Sequence, residues 1–332
     1  MDINGLQTPA LLVEQSLLQG NLDTMSEALP GPRLRPHIKA HKCTALARAQ
    51  AANGHANFTC ATIREMEGMA RAGLGTDLLL ANEVLDTRRL GVLVDEGARI
   101  TVAVDSAQTV AAAADGGVKE VLVDVNIGLP RCGCPPGEAG RIADIARSRG
   151  LTVRGVMGYE GHLMMVQPEA EKARMTEEAL ALLTAAAAEV GGEVISAGGT
   201  GTYAINSWAT EIQAGSYALM DTAYATLGFP FAHALSVLAT VVSVSAGWAV
   251  ADVGLKSLGM DHGNPTIPGT AVWFCSDEHT TFAPEAGNAV KVGDRVRVLP
   301  AHIDPTVAMH ETMYLADGDQ VLDRWAVDLR GW

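Results

Sequence analysis

The sequence predicts an α/β protein: a (β/α)8 barrel followed by a second, C-terminal β domain. Three observations predict it. From about residue 34 to 225, short apolar or β-branched runs alternate with helix-forming stretches. Eight such runs can be counted, the number a closed barrel needs. After about residue 235 the helical stretches stop and strand-like runs follow one another directly.

In chain order the expected barrel strands are 34–40, 57–62, 77–81, 100–104, 121–125, 153–158, 193–197 and 211–219. Helices are expected between them over 44–53, 63–72, 138–149 and 168–190, where Ala, Leu, Glu and Arg dominate. Gly54, Gly73, Gly150 and Gly191 follow those stretches as stop signals. A doubly wound sheet is the competing architecture, but no GxGxxG follows the first strand. In the C-terminal part, strands are expected at 235–244, 250–252, 271–275, 295–299 and 312–315, with Gly, Asp and Pro between them. The expected domains are 16–230 for the barrel and 231–332 for the β domain, which residues 1–15 join.

Bulk properties narrow the function. The 332 residues are 48% apolar and 19% charged, as in a soluble globular protein. A net charge of −14 argues against a nucleic-acid partner, which would require clustered Lys and Arg. One phosphate could still be held locally by backbone N–H groups. The start of the chain lacks a signal-peptide pattern, and no apolar run is long enough to span a membrane. Cys43, Cys60, Cys132, Cys134 and Cys275 have no metal-finger spacing, so reduced thiols in the cytoplasm are expected.

The segment Leu34-Arg35-Pro36-His37-Ile38-Lys39-Ala40-His41-Lys42 carries the most information. As a strand it would point His37, Lys39 and His41 to one side, toward the barrel axis. A lysine buried there is costly unless it is paired or used chemically. Desolvation would favour its neutral amine, a nucleophile toward aldehydes. A solvated basic loop is the competing reading. Ser196–Thr202 offers consecutive glycines and threonines after the seventh run, and Ala214-Gly215-Ser216-Tyr217 a second glycine turn near the eighth. Loops after strands seven and eight are where barrels often hold phosphate, although each alone reads as an ordinary turn. In His302-Ile303-Asp304, an extended backbone would turn an imidazole and a carboxylate to the same side.

The lysine segment resembles the PHxKxHK motif of the D-threonine aldolase and D-serine dehydratase family, which shares its barrel with alanine racemases. The likeness extends through Tyr159-Glu160-Gly161-His162, Gly199-Thr200-Gly201, 211–221, 252–261, 276–279 and 302–304. It implies the fold-type III barrel and pyridoxal 5'-phosphate (PLP) bound to Lys39 as a Schiff base, with Lys42 a spectator. It implies that Thr200, Gly201, Gly215, Ser216 and Tyr217 serve the cofactor phosphate. Arg131 would face the cofactor's phenolic oxygen, Tyr159 would lie beside its ring, and His162 would be a base near the substrate hydroxyl. Each also has a plain reading, as a surface arginine, a packed tyrosine and a hydrogen-bonded histidine. His302 and Asp304 would hold a divalent metal, with Mn2+ or Mg2+ favoured by the carboxylate and Zn2+ as the alternative.

The resemblance implies a lyase of D-amino acid metabolism: an aldolase cleaving a D-β-hydroxy-α-amino acid, D-threonine-like, to glycine and an aldehyde. Asp rather than Cys at 304 leans toward the aldolases. A dehydratase of D-serine or 3-hydroxyaspartate is the alternative, and a non-catalytic PLP-binding protein the minor one. A small amino-acid substrate and a homodimer are expected; nucleic acid and membrane are not.

Overall fold

Two β-sheets organise the chain in the computed structural model, which describes residues 1–287 and 289–332. In chain order the strands are β1 (Ala10–Glu14), β2 (Phe58–Cys60), β3 (Leu78–Leu80), β4 (Ile100–Val104), β5 (Glu120–Asp124), β6 (Thr152–Met157), β7 (Val194–Ala197), β8 (Glu211–Ile212), β9 (Leu235–Ser245), β10 (Trp248–Ala251), β11 (Thr270–Cys275), β12 (Thr280–Pro284), β13 (Arg295–Val298), β14 (Thr312–Asp317) and β15 (Gln320–Ala326). They fall into two units. One gathers Met25–Lys39 and Ala47–Gly215; the other gathers Met1–Thr24, Ala40–Leu46 and Ser216–Gly331.

In the first unit β2 to β8 are parallel and lie side by side in chain order. The expected first strand is not a strand. Leu34 bridges Ile212 of β8 and His37 bridges Thr59 of β2, both in parallel sense. Backbone bonds from Arg35 N–H to Ile212 O and from Thr59 N–H to Pro36 O, both 2.9 Å, close the ring at that place. Pro36 has no N–H to donate, and Ile38–Ala40 turns into a 3-10 helix, so the ladder stops there. The eighth position of the barrel is therefore held by a bridged segment. The expected eighth strand, 211–219, is likewise cut to β8, with a 3-10 turn at Ser216–Ala218.

The helices begin where side chains satisfy their first N–H groups. Thr62 with Glu65, and Ser106 with Thr109, form reciprocal capping pairs just after β2 and β4. Strand alternation puts Asp77, Leu79 and Ala81 on one face, as it does Thr101, Ala103 and Asp105, and Glu120, Leu122 and Asp124. Leu79, Ala103, Leu122, Met157 and Val194 form one packed cluster. On the side of the strand starts lies a charged layer: Arg35 donates to Glu211 (2.8 Å) and Asp77 (3.1 Å), and Arg154 to Asp77 (3.0 Å) and Thr101 (2.8 Å).

In the second unit the sheet order is β11-β12-β10-β9-β1-β14-β15, with β13 also on β9. The long β9, LSVLATVVSVS, is rich in β-branched residues and pairs in turn with β1, β13 and β10. The β9–β10 hairpin turns at Ala246-Gly247, where Gly247 has φ +94°. β1 runs antiparallel to β9 and parallel to β14, and Leu12 joins Ile3, Leu6, Leu238 and Ala316 in a core. Thr8 and the Thr240 N–H both donate to the Asp252 carboxylate at 2.6 Å. No described helix is long and apolar enough to cross a membrane.

Candidate active site

The barrel unit collects several of the sequence-predicted residues at the C-terminal ends of its strands, where barrel enzymes keep their chemistry. Lys39 lies in the 3-10 turn that ends the bridged segment and is exposed. That corrects two expectations. The even alternation with His37 and His41 does not apply beyond the turn, and Lys39 is exposed where a buried lysine was expected. His37 and His41 are buried. The Lys39 N–H points back to His37 Nδ1 at 3.4 Å. Lys42 takes a positive φ of +47°.

Tyr159 follows β6 and stands between two glycines. A Cβ on Gly161 would come within 2.3 Å of the ring, and one on Gly199 would lie 3.5 Å from it. Only glycine permits the first approach. The Arg131 guanidinium lies over the ring face, 5.4 Å from its centroid, a cation–π contact that aims an exposed arginine. His162 is exposed in the next 3-10 turn, and the Arg131 loop presses against it: a Cβ on Gly128 would be 2.7 Å from its ring. Arg131, Tyr159 and His162 are thus gathered.

The glycine loop after β7 is held from two sides by buried charges. Glu160, with no exposed surface, accepts from the Gly198 N–H (3.2 Å), the Thr202 hydroxyl (2.8 Å) and Asn206 Nδ2 (3.3 Å). Burial pushes its carboxyl up; these donors work against that. Lys172 Nζ donates to Met164 O (2.9 Å) and Gly201 O (3.3 Å), and burial lowers the pKa of its ammonium. A Cβ on Gly201 would lie 2.7 Å from Met164 O. The N–H of Gly201, a buried residue, meets no acceptor among the described residues. Buried N–H groups without partners are rare, so this one fits an anion such as the cofactor phosphate. Thr200 is buried beside it, and Gly215 closes the barrel unit.

At the ends of β3, β4 and β5, Glu83, Asp105 and Asp124 crowd together. Burial and the Glu83 charge hold the Asp124 carboxyl well above its ordinary range. A hydrogen bond from Cys132 to Glu83 pushes its thiol up to about 11, and burial does the same for Cys134. Both effects disfavour the thiolate.

In the β unit, Ser216 opens a short turn, and the buried Tyr217 ring packs 5.8 Å from Phe231. His302 and Asp304 do not lie on a strand. His302 is the extended N-cap residue of a helix over Ile303–Met309, and Asp304 sits in its first turn. The cap bend, rather than strand alternation, brings His302 Nε2 within 3.9 Å of Asp304 Oδ1. Buried Asp221 accepts from the Ile303 N–H at 3.2 Å, fixing the backbone between the two. Two donors bound to one ion at about 2.1 Å each stand no more than about 4.2 Å apart, so the pair fits a divalent cation. Sequence reasoning missed Asp261 and His262, which stand beside His302, and the holding roles of Glu160 and Lys172. Glu160 and Asp261 fell inside quoted segments; His262 and Lys172 had no signal, because their contacts close only in three dimensions.

Residues 13–223 match the family described as alanine racemase, N-terminal domain, and residues 234–316 the one described as putative serine dehydratase domain. The chain is 31% identical to a 3-hydroxy-D-aspartate aldolase of Paracoccus denitrificans (strain Pd 1222), covering 100% of this chain and 94% of that protein. It is 29% identical to a D-threo-3-hydroxyaspartate dehydratase of Delftia sp. (strain HT23), covering 98% of each. Among solved structures, D-threonine aldolase from Filomicrobium marinum superposes with a TM-score of 0.92 at 32% identity, covering 99% of this chain and 97% of that one.

Proposed function

The chain belongs to the fold-type III family of PLP enzymes built on the alanine racemase N-terminal domain, and from that premise we propose that it is a D-β-hydroxy-α-amino acid aldolase. The observation that carries the choice is the second member of the His302/Asp304 pair, a carboxylate 3.9 Å from the imidazole. A carboxylate with an imidazole suits Mn2+ or Mg2+, while a thiolate would suit Zn2+.

When bound, PLP supplies an electron sink for the pair released as the Cα–Cβ bond breaks, and a divalent ion supplies Lewis acidity toward the β-hydroxyl. Lys39 provides the amine that carries the cofactor. Thr200, Gly201, Gly215 and the backbone at Ser216 and Tyr217 hold its phosphate, with Gly201 N–H the best supported donor. Arg131, steadied on the Tyr159 ring, would supply positive charge to the bound cofactor. His162 takes the hydroxyl proton as the carbonyl of the departing aldehyde forms, and a proton returned to Cα, the same one or one from water, completes glycine.

Five free cysteines support a reducing, cytoplasmic setting. The exposed Trp248, Trp273 and Phe274 support a homodimer, testable by sedimentation. The deciding assay loads the chain with PLP and Mn2+ and follows D-threonine. Acetaldehyde and glycine are expected, with turnover lost on chelation and restored better by Mn2+ or Mg2+ than by Zn2+. A 2-oxo acid without aldehyde would make it a dehydratase, which the Delftia relative keeps in view. Bound PLP with no product from any D-β-hydroxy amino acid would leave a binding protein.

A further inference from the structure

Building on the reading that His302 and Asp304 hold the ion, we propose that Asp261 is a positioning residue that fixes which nitrogen of His302 faces it. Asp261 Oδ2 lies 2.7 Å from His302 Nδ1. An ionised carboxylate only accepts, so the proton sits on Nδ1 and the Nε2 lone pair is left for the metal. Nε2 is also the nitrogen that faces Asp304. A carboxylate bonded to the far nitrogen of a ligating imidazole sets its tautomer and raises its basicity.

The contact is built into the backbone. Gly259 forms an antiparallel bridge to His302, and its N–H donates to Thr306 Oγ1 at 2.9 Å. Thr306 Oγ1 in turn donates to His302 O at 2.7 Å. A Cβ on Gly259 would fall 2.3 Å from Pro305 Cγ, so only glycine brings the Asp261 loop this close. His262 stacks on the His302 ring, with centroids 4.1 Å apart and planes 7° from parallel, which holds the ring plane. Asp261, His262 and His302 also lie close enough together to serve as three direct ligands. The 2.7 Å contact argues against that use of Asp261: it is a hydrogen-bond length, and two donors sharing an ion stand about 3–4 Å apart.

The test is Mn2+ titration of the PLP-loaded full chain by calorimetry, with 15N shifts of the His302 ring read alongside. Asp261→Ala should weaken Mn2+ binding about 10- to 100-fold. It should mix the two His302 tautomers and leave the melting temperature unchanged, since Asp261 is exposed. Asp261→Glu, which restores a carboxylate, should recover part of the affinity. Unchanged affinity in Asp261→Ala overturns the proposal, as does a loss as complete as that of His302→Ala, which would make Asp261 a ligand. If the unaltered chain binds no Mn2+, the metal reading itself falls; that outcome is distinct from the other two.

Discussion

At the starts of the barrel strands Arg35, Asp77, Arg154 and Glu211 face one another with opposite charges, at 2.8–3.1 Å. At the ends of the same strands Glu83, Asp105 and Asp124 set like charges together, and Arg131 and Lys39 lie exposed. Between these layers sits the apolar cluster of Leu79, Ala103, Leu122, Met157 and Val194. One end of the barrel neutralises its charges internally. The other leaves Lys39, Arg131 and His162 exposed, as binding an anionic cofactor and an amino acid requires. The contrast separates residues whose loss should harm folding from those whose loss should harm chemistry.

The sharpest way to break that contrast is at its paired end. Asp77→Asn strips the charge that faces both Arg35 and Arg154, leaving two buried guanidiniums short of a partner. Urea unfolding should show a loss of about 3–5 kcal/mol, with turnover per folded molecule preserved. A loss below about 1 kcal/mol would mean that the layer is not structural. Lys172→Met belongs to the other class. It leaves the carbonyls of Met164 and Gly201 short of a donor, worth about 1–3 kcal/mol. Because the loosened segment includes Gly201, whose N–H is proposed to meet the cofactor phosphate, PLP affinity should fall roughly tenfold in an equilibrium dialysis measurement. Equal PLP affinity in both proteins would detach Lys172 from the cofactor site.

The smallest effect is the one in pH, and the two ends should move oppositely. For Asp77, burial raises the carboxyl, but Arg154 and Arg35 outweigh it and hold the folded value below the unfolded one. Its contribution is present above about pH 4 and is lost as pH falls through the folded value. For Asp124 and Glu160, burial raises the folded values, so the folded state keeps their protons longer than the unfolded chain does. Stability from these two is greatest below about pH 4 and declines as pH rises toward their raised values. Melting temperatures across pH should therefore lose part of the acid limb in Asp77→Asn and part of the decline above it in Asp124→Asn. The same limb affected in both variants would remove the distinction.

Much of this was legible in the chain itself. Alternating runs of β-branched and helix-forming residues marked the barrel, since each parallel strand is buried on both faces and each helix is amphipathic. The glycine loop after β7 and the His302/Asp304 pair stood out for their residue types. What escaped had physical causes. Leu34–His37 reads as a strand but makes only bridges, because Pro36 and the Ile38–Ala40 turn cut the ladder short. His302-Ile303-Asp304 looks extended, yet the Asp221 carboxylate and the Thr306 hydroxyl stabilise a helix start there. The strands β12 and β15 were missed; β15 alternates weakly, with most of its residues exposed. The contact between Asp261 and His302 spans 41 positions and follows no local period.

The central claim is that Lys39, at the closing point of the barrel, carries the cofactor. Borohydride reduction of the PLP-loaded protein, followed by peptide mapping, tests it most directly. A single pyridoxyl adduct on Lys39 is the predicted result. An adduct on Lys42 or Lys172 instead, or no adduct at all, would contradict it.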